Sequence, residues 1–381
     1  MATTRKRGNS YQIRVSVGYD TKGNQVVRTK TWKPSAGMTA RQIEKELLKQ
    51  AIMFEEQCLK GVVTTDIKFE EFADRWFEEY AKSNLKKTTL SRMTSCKIRT
   101  YRAFGHFRLN KITRGQVQAF IDDLARNGKS IRSGKPLSHK TVIHHLNFLS
   151  DVFTYAVRQE LISETPCKNI ILPRGTKKEK AIYTVDEVKT LFKLMDEHNS
   201  SIRFKAFVSL AVYGGFRRGE IMGLEWKDID WDNNVVSIRR TSNYTHNDGI
   251  FTDTTKTKRS ERSLKLPDPV FAVLKQLYDE QQTQKAEIGN KWVDCDRLFV
   301  TWNGTPLFCG TPYVWLKKFT KKHGMRFCDL HSFRHFNATV LINSGIDAAT
   351  VSSALGHSNI TTTTSIYFTP FRRYRRGQVT R

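Results

Sequence analysis

The period of the hydrophobic pattern changes along this chain of 381 residues, and the change limits the folds open to it. Near the N-terminus Tyr11, Ile13, Val15 and Val17 alternate with Gln12, Arg14 and Ser16, the two-residue period of a strand with one buried face. A turn signal at Asp20 to Asn24 separates this run from a second extended run, Gln25 to Trp32. From Thr39 the period becomes helical. Ile43, Leu47, Leu48, Ala51 and Phe54 fall at helical spacing, and Thr39 with Gln42 has the form of a capping box. Residues 1–62 are therefore expected to form a small sheet of two or three strands with one helix. Arg5, Lys6, Arg7, Arg14, Arg28, Lys30 and Lys33 make the strand face basic, and such a ribbon fits a DNA major groove. A solvated charged face is the plainer alternative.

Residues 66–170 read as all helix. Phe69, Phe72, Trp76 and Tyr80 mark one amphipathic face. Lys86-Lys87-Thr88-Thr89 begins a second helix, Thr113 with Gln116 caps a third, and Ser138 precedes a fourth, with a Gly/Ser/Lys loop from Asn127 to Pro136. Pro166, Pro173 and Gly175 lead into a charged run, so residues 171–183 read as a linker. The last segment, 184–381, opens on a capping box at Thr184 and Glu187. It alternates between helices to about residue 225, a sheet from about 234 to 266, and helices again. The expected fold class is multidomain α+β: a sheet-plus-helix domain, an all-α domain, and a mixed, mainly α domain.

Lys and Arg number 64 against 37 Asp and Glu, a formal net charge of +27. Hydrophobic residues at 39% suffice for real cores, so the excess points to a polyanionic partner. Nucleic acid fits best, because every phosphate neutralised releases a counterion. The six cysteines are scattered without a C-x-x-C pair, which fits a reducing, cytoplasmic setting rather than a disulfide framework or zinc ribbon. No secretory signal and no apolar run of membrane-spanning length is evident.

The chemistry concentrates in the last segment. The apolar run Phe204 to Tyr213 ends at Gly214-Gly215, after which Arg217 sits at a turn preceding a new helix, a place suited to an anion. Glu220, three residues on, can hold that arginine. Lys256 lies between two strand-like runs, Val235 to Arg240 and Arg262 to Leu266, where a lysine can swing and donate a proton; Lys258 is its rival. His331 and Arg334 are three apart on a helix and share a face. His331 with His335 also has the spacing of a metal pair, but lacks the glutamate of H-E-x-x-H and an evident third ligand. His357 follows Leu355-Gly356 at the end of a short helix, and Tyr367 lies ten residues later. Free tyrosine is a poor nucleophile, and nearby cations lower that barrier by stabilising phenolate. Tyr374 is a second tyrosine, set among Arg372, Arg373, Arg375 and Arg376.

These pieces, GGFRRGE, TKTKRSER, HSFRH, LGHSNITTT and the tyrosine after them, resemble the catalytic domain of tyrosine recombinases, the phage and conjugative-transposon integrases. More weakly, residues 66–170 resemble that family's helical core-binding domain and residues 1–62 its arm-binding domain. The resemblance implies that Tyr367 attacks the scissile phosphate to form a 3′-phosphotyrosyl link. It implies that Arg217 and Arg334 clamp the non-bridging oxygens and Lys256 protonates the leaving 5′-oxygen. His331 assists proton transfer, His357 hydrogen-bonds the phosphate, and Glu220 supports the site. The link conserves the bond energy, so neither ATP nor a metal is required, and no cofactor is expected. It further implies a homo-tetramer on double-stranded DNA attachment sites, passing through a Holliday junction. An excisionase and a host DNA-bending protein are further partners compatible with an arm-like domain. The tail 368–381 is expected to dock on a neighbouring protomer. Gly-Gly-Phe stands where Thr-Gly-Leu is commoner, Ser332 where an aspartate is frequent, and Phe-Thr-Pro follows the tyrosine; none of these removes a chemical group. A type IB topoisomerase and a non-catalytic DNA-binding regulator are the competing readings.

Overall fold

A computed structural model describes residues 2–19, 24–59, 66–175, 181–254 and 261–356. Lys256, Lys258, His357, Tyr367, Tyr374 and the tail 368–381 lie outside the described residues. The chain divides into two compact units, Met1–Thr176 and Lys177–Arg381.

The first unit begins with three antiparallel strands in the order β1 (Thr3–Arg7), β2 (Ser10–Tyr19) and β3 (Gln25–Trp32). The alternation of β2 acts as expected: Ile13 and Val15 are buried and pack with Ala51, Phe54 and Cys58 of α1 (Ala40–Leu59). Gln42 caps that helix reciprocally, its backbone N–H donating to Thr39 Oγ1 and its Oε1 accepting from the Thr39 N–H. β1, Thr-Thr-Arg-Lys-Arg, is exposed throughout and adds a third basic strand.

The helical part of this unit comprises α2 (Phe69–Trp76), α3 (Lys82–Asn84), α4 (Lys87–Phe104), α5 (Arg114–Arg126) and α6 (His139–Arg158). Phe69, Phe72 and Trp76 pack against Phe148 and Phe153 of α6 in one core. Between α2 and α3 a π-helical turn, Phe77–Ala81, departs from the sequence reading. A π turn takes in one extra residue, which rotates the face that follows. Phe77 therefore enters the core and Tyr80 is left half-buried at its edge. Thr113 with Gln116 and Ser138 with Thr141 cap α5 and α6 as expected.

The second unit contains α7 (Val185–Glu197), α8 (Ile202–Tyr213), α9 (Arg218–Ile221), a sheet region, α10 (Asp268–Ile288), α11 (Thr311–Lys322), α12 (His331–Asn343) and α13 (Ala348–Leu355). α8 is buried on every side from Ala206 to Val212, packed by α10, α11 and α12, while Arg203 and Lys205 near its start are half-buried and Tyr213 at its end is exposed. Tyr183, within the stretch read as linker, is buried instead: its ring stacks on Phe333 and its hydroxyl accepts from the Cys328 N–H. An aromatic with a satisfied phenol belongs to a core rather than to a tether.

The sheet region differs from the two strand-like runs of the sequence. β4 (Ile229–Asp230), β5 (Val235–Ile238) and β8 (Arg262–Lys265) form one antiparallel sheet in the order β4-β5-β8. Between β5 and β8 the chain makes a separate two-stranded hairpin, β6 (Arg240–Thr245) and β7 (Gly249–Thr254). A buried charge network ties this hairpin down. Arg240 pairs with Asp228 and, at 3.0 Å, with Glu225. Arg297 lies 3.6 Å from Glu225 and donates to the Gly223 carbonyl and to Thr252 Oγ1 of β7.

Candidate active site

The site grows from the way α8 stops. Gly215 follows its last residues with φ +58°, a left-handed conformation in which a side chain is strained. The chain then turns, and Arg217, in extended conformation, becomes the N-cap residue of α9. Glu220 folds back on it. Its Oε2 accepts the Arg217 backbone N–H at 2.9 Å, and its Oε1 accepts Nη1 of the same residue at 2.6 Å. The structure thus bears out the pairing expected from the three-residue spacing. Glu220 is 1% exposed, whereas the Arg217 side chain keeps about a third of its surface open (36%). One end of the pair is buried and the other faces solvent.

A third member, which the sequence reading passed over, completes the pair. Arg262, the first residue of β8, donates from Nη2 to Glu220 Oε2 at 2.8 Å, and its guanidinium lies over the Phe216 ring, 5.4 Å from the centroid. Burial by itself would push the Glu220 carboxyl up. The hydrogen bond and charge of Arg262, with the charge and N–H of Arg217, outweigh it and hold the carboxyl below its usual range. Glu220 is accordingly ionised at neutral pH.

The last turn of α13 is where the cations converge. Its successive carbonyls each accept from a different arginine. Ala354 O takes Arg262 Nε at 2.7 Å, Leu355 O takes Arg334 Nη2 at 2.6 Å, and Gly356 O takes Arg217 Nη2 at 3.0 Å. The end of a helix carries unpaired carbonyls and the negative pole of its dipole, so three guanidinium groups are well placed there. Arg334 also donates from Nη1 to the Gly215 carbonyl at 2.9 Å. Asn337, one turn further along α12, donates to the carbonyls of Val212 and Tyr213, the end of α8. Gly356 itself has φ +65° and caps α13, and His357 is the next residue in sequence.

Arg217, Glu220 and Arg334 are therefore brought together, through α13. Arg334 is 1% exposed, while His331 is exposed at the first position of α12. Burial begins with the next residue and takes in Ser332, Phe333, Arg334 and His335 in succession, so His331 differs by standing at the start of the helix. Asp329 Oδ1 accepts the backbone N–H groups of His331 and Ser332 and fixes this helix start. The rings of His331 and His335 lie 4.7 Å apart, and among the described residues no group of three metal-ligating side chains includes them. Lys256, His357 and Tyr367 lie outside the described residues. Arg262 carried one signal in the sequence: a cation that alternates in phase with Leu264 along a strand-like run.

Residues 182–372 match the phage integrase family, and residues 68–171 match the phage integrase SAM-like domain. The chain belongs to the phage integrase family. It is 26% identical over 384 residues, covering 94% of this chain and 91% of its relative, to a tyrosine recombinase XerC-like protein of Caldanaerobacter subterraneus subsp. tengcongensis. Among solved structures, the Tn1549 transposon integrase in complex with a circular intermediate DNA superposes with a TM-score of 0.65 at 18% identity, over 79% of this chain and 95% of that one. A lambda integrase tetramer bound to a Holliday junction gives a TM-score of 0.55 at 17% identity, over 95% and 94%. The fold is that of these integrases, with a β-sheet N-terminal domain and a helical core. The chain is a tyrosine recombinase, an enzyme of site-specific DNA cleavage and rejoining. No helix among the described residues is long and apolar enough to cross a membrane.

Proposed function

We propose that this integrase cuts DNA through Tyr367 and moves a mobile element into and out of a bacterial chromosome, in the cytoplasm. The phenolic oxygen of Tyr367 gives up its proton with the help of His331 and attacks the scissile phosphorus, and the bond from phosphorus to the 5′-oxygen breaks. A 3′-phosphotyrosyl link forms, and the leaving 5′-oxygen takes a proton from Lys256, with Lys258 as the rival donor. Arg217 and Arg334 stabilise the charge on the non-bridging oxygens, His357 hydrogen-bonds the phosphate, and His331 assists proton transfer. Glu220 is a positioning residue. Attack by a 5′-hydroxyl of the other duplex reverses the step and exchanges strands, so no external energy is consumed.

The observation that carries this reading is the meeting of Arg217 and Arg334 on the last turn of α13, directly before His357. Two of the proposed phosphate ligands thus meet at the residues that directly precede a third, His357. The proposed assembly is a homo-tetramer on paired attachment sites passing through a Holliday junction. Residues 1–62 read separate arm sites, residues 66–170 and 184–381 grip the core site, and an excisionase and a host DNA-bending protein assist. The test is incubation with a nicked duplex carrying the attachment site. The chain is expected to form a covalent adduct that Tyr367→Phe abolishes and to recombine two sites. An adduct that persists in Tyr367→Phe moves the nucleophile elsewhere, with Tyr374 next. Relaxation of supercoils without recombination would make the protein a topoisomerase.

A further inference from the structure

We infer that Arg262 is a positioning residue for strand cleavage, fixing Glu220 and the end of α13 so that Arg217 presents its guanidinium to the phosphate. This rests on the cleavage reading above. Arg262 joins Glu220, the end of α13 and Phe216. Nη2 holds Glu220 Oε2, Nε holds the Ala354 carbonyl, and the guanidinium plane covers Phe216. Its side chain is only 7% exposed, so it is poorly placed to contact DNA itself.

The geometry is a relay with a division of labour. Glu220 offers one oxygen to the Arg217 guanidinium and the other to the Arg217 backbone N–H and to Arg262. Without Arg262, a buried carboxylate keeps a single cationic partner, and its Oε2 is held by the Arg217 backbone N–H alone. α13 likewise loses the ligand of the first of its three terminal carbonyls. Both effects act on Arg217, whose remaining contacts are Glu220 and Gly356 O. A lysine cannot replace Arg262, because one ammonium cannot span Glu220 and Ala354 O as the forked guanidinium does. The position also joins the site to the sheet: Arg262 pairs with Ile238 at the start of β8, the first described strand after the segment that carries Lys256.

Single-turnover cleavage of the nicked duplex by full-length protein tests this, with DNA affinity measured across a range of salt. Arg262→Gln is expected to slow adduct formation about 100-fold, the usual effect of a misplacement of roughly 1 Å. DNA affinity and its salt slope should stay unchanged, because no phosphate contact is lost. Arg262→Lys should fall between the two. The double variant Arg262→Gln, Glu220→Gln should cleave no more slowly than the slower single variant, because both act through one pair. Wild-type rates in Arg262→Gln overturn the inference, as does a double variant whose losses multiply or a reduced salt slope. If Arg262→Gln does not fold, Arg262→Lys carries the test, and a wild-type rate there overturns it. A wild-type chain that forms no adduct overturns the cleavage reading itself, and this inference with it.

Discussion

Gly215→Ala isolates the joint on which the site turns. Two costs can be read from the structure. Gly215 has φ +58°, and an L-residue held there costs about 1–2 kcal/mol. The added Cβ would also lie 2.7 Å from Asn337 Oδ1 and 2.7 Å from Leu355 Cδ2. Neither neighbour can yield cheaply. Leu355 is fully buried, and Asn337 is pinned by its two bonds to the end of α8. Overpacking of that kind adds about 1–3 kcal/mol, so the total is about 2–5 kcal/mol. For a unit of this size that lowers the melting temperature by about 4–20 °C.

Gly249→Ala supplies the control. It has φ +66° but open space around the added Cβ, so only the conformational cost of about 1–2 kcal/mol applies. Calorimetry of the full chain, with hydrogen exchange across residues 202–225 to assign the transition, measures both variants. Gly215→Ala is expected to destabilise clearly more than Gly249→Ala. It should also slow DNA cleavage while Gly249→Ala spares it, because the Gly215 carbonyl holds Arg334. Equal destabilisation by the two would show that the packing around Gly215 is slack and would refute the reasoning.

Glu220→Gln should cost about 3 kcal/mol at neutral pH, because it leaves two arginines facing a neutral, buried amide. The Glu220 carboxyl titrates below its ordinary 4.5, so its stabilisation is present above that value and is lost as pH falls through the lower folded-state value. Wild type and variant should therefore converge in strongly acidic denaturant melts, and a constant gap would contradict the ion-pair account. Asn337→Ala removes the donor to two carbonyls at the end of α8, expected to cost about 2 kcal/mol in urea unfolding. Deleting residues 371–381 should impair tetramer formation and strand exchange, followed by light scattering and recombination assays; normal behaviour in both would remove the tail from the assembly.

Much of this was legible because local rules and tertiary packing agree. Ile13 and Val15 alternate and are buried; Thr113, Ser138 and Thr184 cap the helices they precede; Glu220 reaches Arg217 across one helical turn. The π turn at Phe77–Ala81 was not legible, since it changes the period by one residue inside a continuous amphipathic stretch. The β6–β7 hairpin was missed because its strands are polar and lack alternation, although Asn247-Asp248-Gly249 is a hairpin turn signal. The burial of Arg334 could not be read from its three-residue spacing to His331. Spacing fixes an angle around the helix, and α12 is covered on every side from Ser332 to His335, so angle alone does not decide burial there.

The three arginines at the end of α13 bear on how any of these changes combine. Arg262, Arg334 and Arg217 come from β8, α12 and the start of α9, yet they bond to carbonyls 354, 355 and 356 in turn. Each guanidinium has a second anchor. For Arg262 and Arg217 it is Glu220, and for Arg334 it is the carbonyl of Gly215, two residues before Arg217. The contacts thus close a loop, and no member can shift without loading the others. Effects of mutating residues that share partners do not add. The same closure gives the chain after Gly356 a fixed departure point, set by three elements rather than by α13 alone. An eight-residue helix with a small apolar contact surface would otherwise be a weak base for the segment that carries His357 and Tyr367.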